Sequence, residues 1–432
     1  MIPILFPSAA FLAVFLVTLR SLGLGFAALF AVGYFNGYIR ANYLSVFTTF
    51  TFDAGVLGLY LGFLIGYPRQ LQQAISGTAA TWVLTLMLWP TVLALLPIND
   101  FLVQLVALRA TIWFVPALLI ATQLRTADLN LLVRGLAVLN LMALGGGMYV
   151  YFYGLEVLYP RNAVTEIMYR SKDVGGYQYH RIPSFFLNAH AYGGTMLFTL
   201  PLLGERCLGR GVPLGDRMVA SAGIAAALVG ILLCAARQPV VQLVLALMVA
   251  WLFTRLNLTV GLIACLLLTL GALLASSNER FQRFRTLEDT TYVTQRVHAS
   301  ANASFFELMV RYPLGAGLGS SVGTSIPFFL ADRAPEQIGL ENEYSRILVD
   351  QGLIGLGLWI GFVVWLILRP PPLRLQWSWG LGIMLMYAWV AVNWATAFIG
   401  AGTLSSIPQS ILLLVQMGVL CRVRQLYSHS SQ

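Results

Sequence analysis

The chain alternates long apolar runs with short polar connections over most of its length. Thirteen such runs stand out, each close to the ~20 residues with which an α-helix crosses a membrane. The runs do not show the alternation of a membrane β-barrel strand. Their approximate positions are 2–19, 22–39, 43–66, 79–96, 102–122, 131–150, 184–203, 218–236, 239–254, 257–275, 347–368, 376–398 and 403–421. The pattern predicts an all-α, polytopic integral membrane protein with 12 or 13 transmembrane helices.

Two hydrophilic segments, 151–183 and 276–346, interrupt this series. Arginine is concentrated in the alternate connections, and such an excess marks the cytoplasmic side, so both segments are predicted to be extracytoplasmic. Within the longer one, the apolar stretches 304–310 and 326–330 favour short helices that cap a cavity or lie on the membrane. The expected organisation is N-terminal transmembrane helices in 1–150, a loop in 151–183, central helices in 184–275, a large loop in 276–346, and three C-terminal helices with a short cytoplasmic tail in 347–432.

Composition excludes several functional classes. Hydrophobic residues make up 58% of the chain and charged residues 10%, whereas soluble domains carry roughly 25% charged residues. The net charge of +9 therefore favours membrane topology and anionic lipid over nucleic acid. The cysteines and histidines lack metal-ligand spacing. Gly315, Gly317 and Gly319 form a glycine run without the Lys-Ser/Thr of a phosphate loop, so neither a metal nor a cofactor is predicted.

Two arginines are candidate anion ligands on the predicted outer face. Arg181 ends the first loop, and Arg237 lies between two predicted spans. A guanidinium group binds phosphate oxygens in a bidentate manner, so the two side chains suit a diphosphate. For Arg237, an arginine that merely extends to the membrane interface is an equal alternative. His180 and His190 flank the Arg181 segment, and a structural hydrogen bond is the expected role of each histidine.

From Arg181 onward the order of motifs resembles the O-antigen ligase and polymerase superfamily of bacterial membrane proteins. The matching pieces begin with Arg181-Ile-Pro-Ser-Phe-Phe-Leu-Asn-Ala-His before a span and Arg237 closing a span. They continue with Arg296, Arg311-Tyr-Pro-Leu-Gly-Ala-Gly-Leu-Gly-Ser and Glu341-Asn-Glu-Tyr-Ser-Arg-Ile-Leu-Val-Asp-Gln-Gly leading into a span. The match covers about half of the chain, and its specificity comes from the order and spacing of pieces that are individually weak.

The resemblance implies a metal-independent glycosyltransferase of the bacterial inner membrane, with its active site on the periplasmic face. Its donor would be an undecaprenyl-diphosphate-linked oligosaccharide, in a membrane-lipid environment. Arg181 and Arg237 match the diphosphate-contacting arginines of the family. The other expected substrate-binding residues are Arg296, His298, Arg311, Asn342 and Arg346. A chain-length regulator and a flippase of the same pathway are expected partners.

One departure from the family pattern shapes the functional prediction. Ligases carry His-Asn where this chain has Glu341-Asn342, and that histidine is their presumed base. A carboxylate can also accept a proton, so Glu341 is the candidate base, with His298 as its rival. The substitution favours a polymerase of exopolysaccharide or O-antigen repeats. The alternatives are a ligase that transfers glycan to lipid A core or protein, a transporter of lipid-linked glycan, and an accessory scaffold.

Overall fold

The computed structural model describes residues 2–170, 179–209, 211–254, 271, 305–321, 326–335, 338, 340, 342–368, 379–400 and 402–430. Most of the described residues are helical. In the described part no strand forms, although Ser321 and Ile338 make one isolated β-bridge. Two short 3-10 helices, Leu155–Val157 and Phe328–Arg333, accompany the α-helices.

The described residues form α1 (Ile2–Arg20), α2 (Leu22–Asn42), α3 (Val46–Thr49), α4 (Thr51–Gly66), α5 (Pro68–Ile75), α6 (Thr78–Ala94), α7 (Phe101–Ile112), α8 (Pro116–Ala121), α9 (Thr126–Tyr153), α10 (Glu166–Arg170), α11 (Ala189–Leu208), α12 (Leu214–Leu233), α13 (Arg237–Thr254), α14 (Phe305–Arg311), α15 (Glu343–Ile367), α16 (Gly380–Ala395) and α17 (Gln409–Ser430). Twelve of the thirteen predicted runs overlap one or two of these helices. The remaining run, 257–275, falls almost entirely outside the described residues.

The helices divide between two compact units. The first comprises Met1–Pro68, Leu124–Asp289 and Pro372–Val392, and the second comprises Arg69–Gln123, Thr290–Pro371 and Asn393–Gln432. In the first unit, α1 packs on α4, and α9 packs on α2 and α12. In the second, α6 packs on α7 and α15, and α8 packs on α17.

Helix length and surface chemistry agree with a membrane environment. Among the described residues, six helices are long and apolar enough to span a bilayer, or seven if the bent pair α5 and α6 is one span. Four shorter apolar helices accompany them. Large apolar side chains face outward, for example Leu84 and Leu88 of α6, each 65% exposed. Such a surface is stable in lipid and would aggregate in water, so the chain is an all-α, polytopic membrane protein.

Two predicted boundaries are wrong. The run 184–203 was expected to be helical throughout, but α11 begins at Ala189, because Ser184 has a positive φ of 53° that a helix does not accommodate. Arg237 was expected to close a span, but it is the first residue of α13. Helix α12 has already ended at Leu233, since Ala235 has a φ of 48°. Pro239 lies in the first turn of α13, where proline interrupts no intrahelical hydrogen bond.

Helix α15 is interrupted at Gly352, whose φ is 69° and ψ is −172°. In a continuous helix Leu353 N would donate to Val349 O. Here Leu353 N donates to Pro313 O at 2.8 Å, and Val349 O accepts from Ala316 N at 2.7 Å. The segment 313–316 therefore satisfies both groups at the break. The glycines of the adjoining run also have positive φ, which explains that motif as a docking loop: Gly315 (90°), Gly317 (97°) and Gly319 (92°).

Replacing Gly352 with alanine is expected to destabilise the protein by about 2–3 kcal/mol, because an L-residue is strained at this φ and ψ. The new Cβ would also overlap the backbone of Leu314. Gly357 is the matched control, since it lies in the same helix and a Cβ there meets no atom within 4 Å. Thermal unfolding in detergent checks the prediction. An unfolding temperature that falls equally in Gly352→Ala and Gly357→Ala would contradict it.

Candidate functional site

Arg181 lies in a non-helical stretch that the first unit holds firmly. Its neighbours Ile182 and Ser184 are buried, while Arg181 is half-buried. The Tyr159 hydroxyl lies 2.5 Å from Ser184 O and 3.0 Å from Phe186 O. Burial raises the pKa of Tyr159 well above its usual range, so this hydroxyl keeps its proton and remains a donor.

The same stretch is fixed from its other side by α2 and α9. Tyr38 N of α2 donates to Phe185 O at 3.0 Å, and the Ser184 hydroxyl donates to Ala143 O of α9 at 2.5 Å. Gly37 permits the close approach, because a Cβ there would overlap the backbone of Phe186. Hydrogen bonds from Tyr159, α2 and α9 thus fix residues 184–186, which begin three residues after Arg181.

The Arg181 guanidinium contacts a histidine that follows it closely in sequence. Nη1 of Arg181 lies 2.7 Å from Nε2 of His190, and His190 is the second residue of α11. Asn188 caps this helix, with its Oδ1 accepting from Ala191 N at 2.7 Å. Since a guanidinium only donates, His190 Nε2 is the acceptor and is unprotonated in this pair. The expected structural role of His190 is therefore hydrogen bonding to Arg181.

Arg237 also belongs to the first unit, where it is half-buried at the start of α13. The N-terminal end of a helix carries exposed N–H groups and a partial positive charge. A guanidinium group at that end adds positive charge, which is unfavourable for the helix alone and favourable for binding an anion. The interface role and the phosphate role predicted for Arg237 both remain compatible with this placement.

In the second unit, Asn342 is the N-cap of α15. Its side-chain oxygen accepts from Tyr344 N at 2.9 Å and from Ser345 N at 3.2 Å, and the residue is buried. The residue predicted to orient a sugar thus also caps the N-terminus of this helix. Three other predicted site residues lie outside the described part of the chain: Glu341, Arg296 and His298.

Arg346 is buried between two carboxylates of the same helix. Its Nη2 lies 2.5 Å and its Nε 3.1 Å from Glu343 Oε1. Nη1 lies 3.8 Å from Asp350 Oδ2. Arg311, in contrast, is exposed at the end of α14, with its guanidinium carbon 5.4 Å from the centre of the Tyr312 ring. Of the two described arginines that are predicted to bind substrate in this unit, Arg311 is accessible and Arg346 is enclosed.

The sequence reasoning did not identify Glu343 and Asp350 as partners of Arg346. The signal was present, because Glu343 and Asp350 lie three residues before and four residues after Arg346, which places all three on one helical face. The predicted span began at residue 347, so the charges that precede it were assigned to the loop.

Comparison with known proteins adds no assignment. No family model matches the chain, and no curated protein matches it. In the described residues, no group of three or more His, Cys, Asp or Glu side chains is arranged to hold a metal ion.

Proposed function

We propose that the protein is a glycan polymerase that joins undecaprenyl-diphosphate-linked oligosaccharide repeats on the outer face of a bacterial inner membrane. Support comes from the ordered resemblance that runs from Arg181 to Gly352 and from the polytopic helical architecture. A polymer of exopolysaccharide or O-antigen type would be the product. The donor diphosphate provides the driving force, so the reaction needs no nucleotide.

The proposed chemistry is a displacement at the anomeric carbon of the donor sugar. The acceptor hydroxyl loses its proton to Glu341, and its oxygen forms the new glycosidic bond. The bond between the anomeric carbon and the phosphate oxygen breaks, and undecaprenyl diphosphate leaves with the electron pair. Arg181, Arg237 and Arg296 would stabilise the negative charge on the leaving group. His298 is the alternative base.

The observation that best supports the proposal is the set of hydrogen bonds at and directly after Arg181. The backbone three to five residues after Arg181 is fixed by Tyr159, Tyr38 and Ser184. The Arg181 guanidinium itself contacts His190, and such support favours a preorganised side chain. Preorganised cationic donors are effective at stabilising charge that develops in a transition state.

Deletion of the gene in its host tests the proposal. A polymerase deletion is expected to leave glycans of a single repeat, and the wild-type gene supplied in trans should restore long chains. Polymer that accumulates at normal length on its lipid carrier would instead indicate a ligase. Repeats trapped on the cytoplasmic face would indicate a transporter. Unchanged length and attachment of the polymer would contradict glycan transfer altogether.

A further inference from the structure

The first turns of α15 contain a buried charge cluster. Glu343, Arg346 and Asp350 have side chains that are 0%, 6% and 1% exposed. Two carboxylates and one guanidinium together carry one net negative charge. Removing one member of a buried ion pair leaves the remaining charge without compensation, which is far more costly than breaking a surface pair.

Both carboxylates also bind loops of the second unit. Glu343 Oε2 accepts from Gly402 N at 2.6 Å, and Glu343 N donates to Ala397 O at 2.8 Å. On the other side, Asp350 accepts from Ser321 N at 3.0 Å and from the Ser321 hydroxyl at 2.6 Å. The cluster therefore joins the loop that precedes α17 to the glycine loop that follows α14.

These hydrogen bonds affect the orientation of the first turns of α15, because the helix is broken directly after Gln351. Residues 343–351 are separated from the rest of α15 by the non-helical Gly352. The backbone does not continue as one rigid rod through the break, so side-chain ties and the hydrogen bonds of the loops set the orientation of the first segment. Asn342 caps this segment, and Glu341 is its immediate neighbour in sequence.

We propose that Arg346 is a positioning residue. It compensates the buried charges of Glu343 and Asp350, which bind the flanking loops, and thereby orients the first segment of α15, directly after Glu341 in the sequence. This inference rests on the proposed function for the role of Glu341. It differs from the expectation that Arg346 binds substrate, because the guanidinium is enclosed and its three nitrogen atoms point to protein carboxylates. Arg346 acts through the helix and does not touch the sugar.

Charge counting supplies a test that separates positioning from substrate binding. Arg346→Met removes the cation between two buried carboxylates, so the formal charge of the cluster changes from −1 to −2. The double variant Arg346→Met/Glu343→Gln returns the formal charge to −1. Arg333→Met is the matched control, since that arginine is 57% exposed and its Nη1 lies 3.8 Å from Asp100 Oδ2.

The experiment measures polymerisation of a lipid-linked repeat in liposomes and thermal unfolding in detergent. Arg346→Met is expected to lower kcat at least about ten-fold and leave the donor KM within about two-fold. The double variant should recover kcat and unfolding temperature beyond the single variant, because the two substitutions are coupled. Arg333→Met should match the wild type in both measurements.

Two results would overturn the proposal. One is a double variant that is no better than Arg346→Met in either activity or unfolding temperature. The other is an Arg346→Met enzyme with unchanged kcat and a raised donor KM, which indicates a substrate contact. An inactive wild type would instead overturn the proposed function. In that case the unfolding temperatures would still test the coupling between Arg346 and Glu343.

Discussion

Glu341→Gln is expected to lower the rate of polymerisation at least about 100-fold, because a positioned general base contributes about 10²–10⁴-fold to rate. Glutamine retains the size and the hydrogen-bonding oxygen of glutamate but does not accept a proton at neutral pH. The donor KM should change little, since the diphosphate is assigned to the arginines. Single-turnover polymerisation in liposomes measures the effect.

Glu307 provides a matched acidic control for this variant. It is exposed on α14, in the same predicted extracytoplasmic segment, and Glu307→Gln should retain wild-type activity. If Glu341→Gln remains active and His298→Gln loses activity to the same degree, the base is His298. If both variants remain active, the proposed deprotonation of the acceptor is contradicted.

Arg181→Ala is expected to reduce kcat/KM for the lipid-linked donor about 100- to 1,000-fold, the range found when one preorganised charge-stabilising donor is removed. Arg181→Lys should recover only part of this loss, because an ammonium group keeps the charge but lacks the planar, bidentate donor set. Kinetics with donor concentration varied would separate weaker binding from slower transfer.

Arg170 is the matched control for Arg181. Its side chain is 79% exposed and forms a surface pair with Glu166, and such pairs contribute little. Arg170→Ala should therefore leave donor kinetics unchanged. Equal losses in the two alanine variants would indicate a general effect of positive charge. Full activity in Arg181→Ala would contradict a role in binding the diphosphate.

Apolar run length was sufficient to predict the fold class. The long uncharged runs specify helices because backbone polar groups must be satisfied internally in lipid, and α1, α2, α9 and α12 coincide with predicted runs. The short helix α14 and the 3-10 helix Phe328–Arg333 likewise coincide with apolar stretches of the large hydrophilic segment.

Local backbone geometry limited the prediction of boundaries. Hydropathy does not register that Ser184 and Ala235 have positive φ. It therefore began the helix of run 184–203 too early and extended run 218–236 past the end of α12 at Leu233. It also missed the break at Gly352, since this glycine stands in an otherwise helical run. Its conformation depends on contacts with Pro313 and Ala316, which are distant in sequence.

The candidate site was only partly accessible from sequence. The order of motifs identified Arg181. The structure adds His190, which contacts Arg181, and Tyr159, which binds the backbone that follows it. The sequence did not indicate Tyr159, because it precedes Arg181 by 22 residues and lies in a different segment. Arg346 was identified as a site residue, but its burial between Glu343 and Asp350 was not predicted, because burial follows from the packing of loops around α15. The assignments of Glu341, Arg296 and His298 remain predictions.

The most direct test of the central claim is reconstitution of the purified protein in liposomes with an undecaprenyl-diphosphate-linked repeat as the only substrate. The expected result is a ladder of products that differ by one repeat on a gel, formed without metal or nucleotide and absent with Glu341→Gln. Transfer only after addition of lipid A core or a protein acceptor, or movement of the lipid without a new glycosidic bond, would contradict the polymerase assignment.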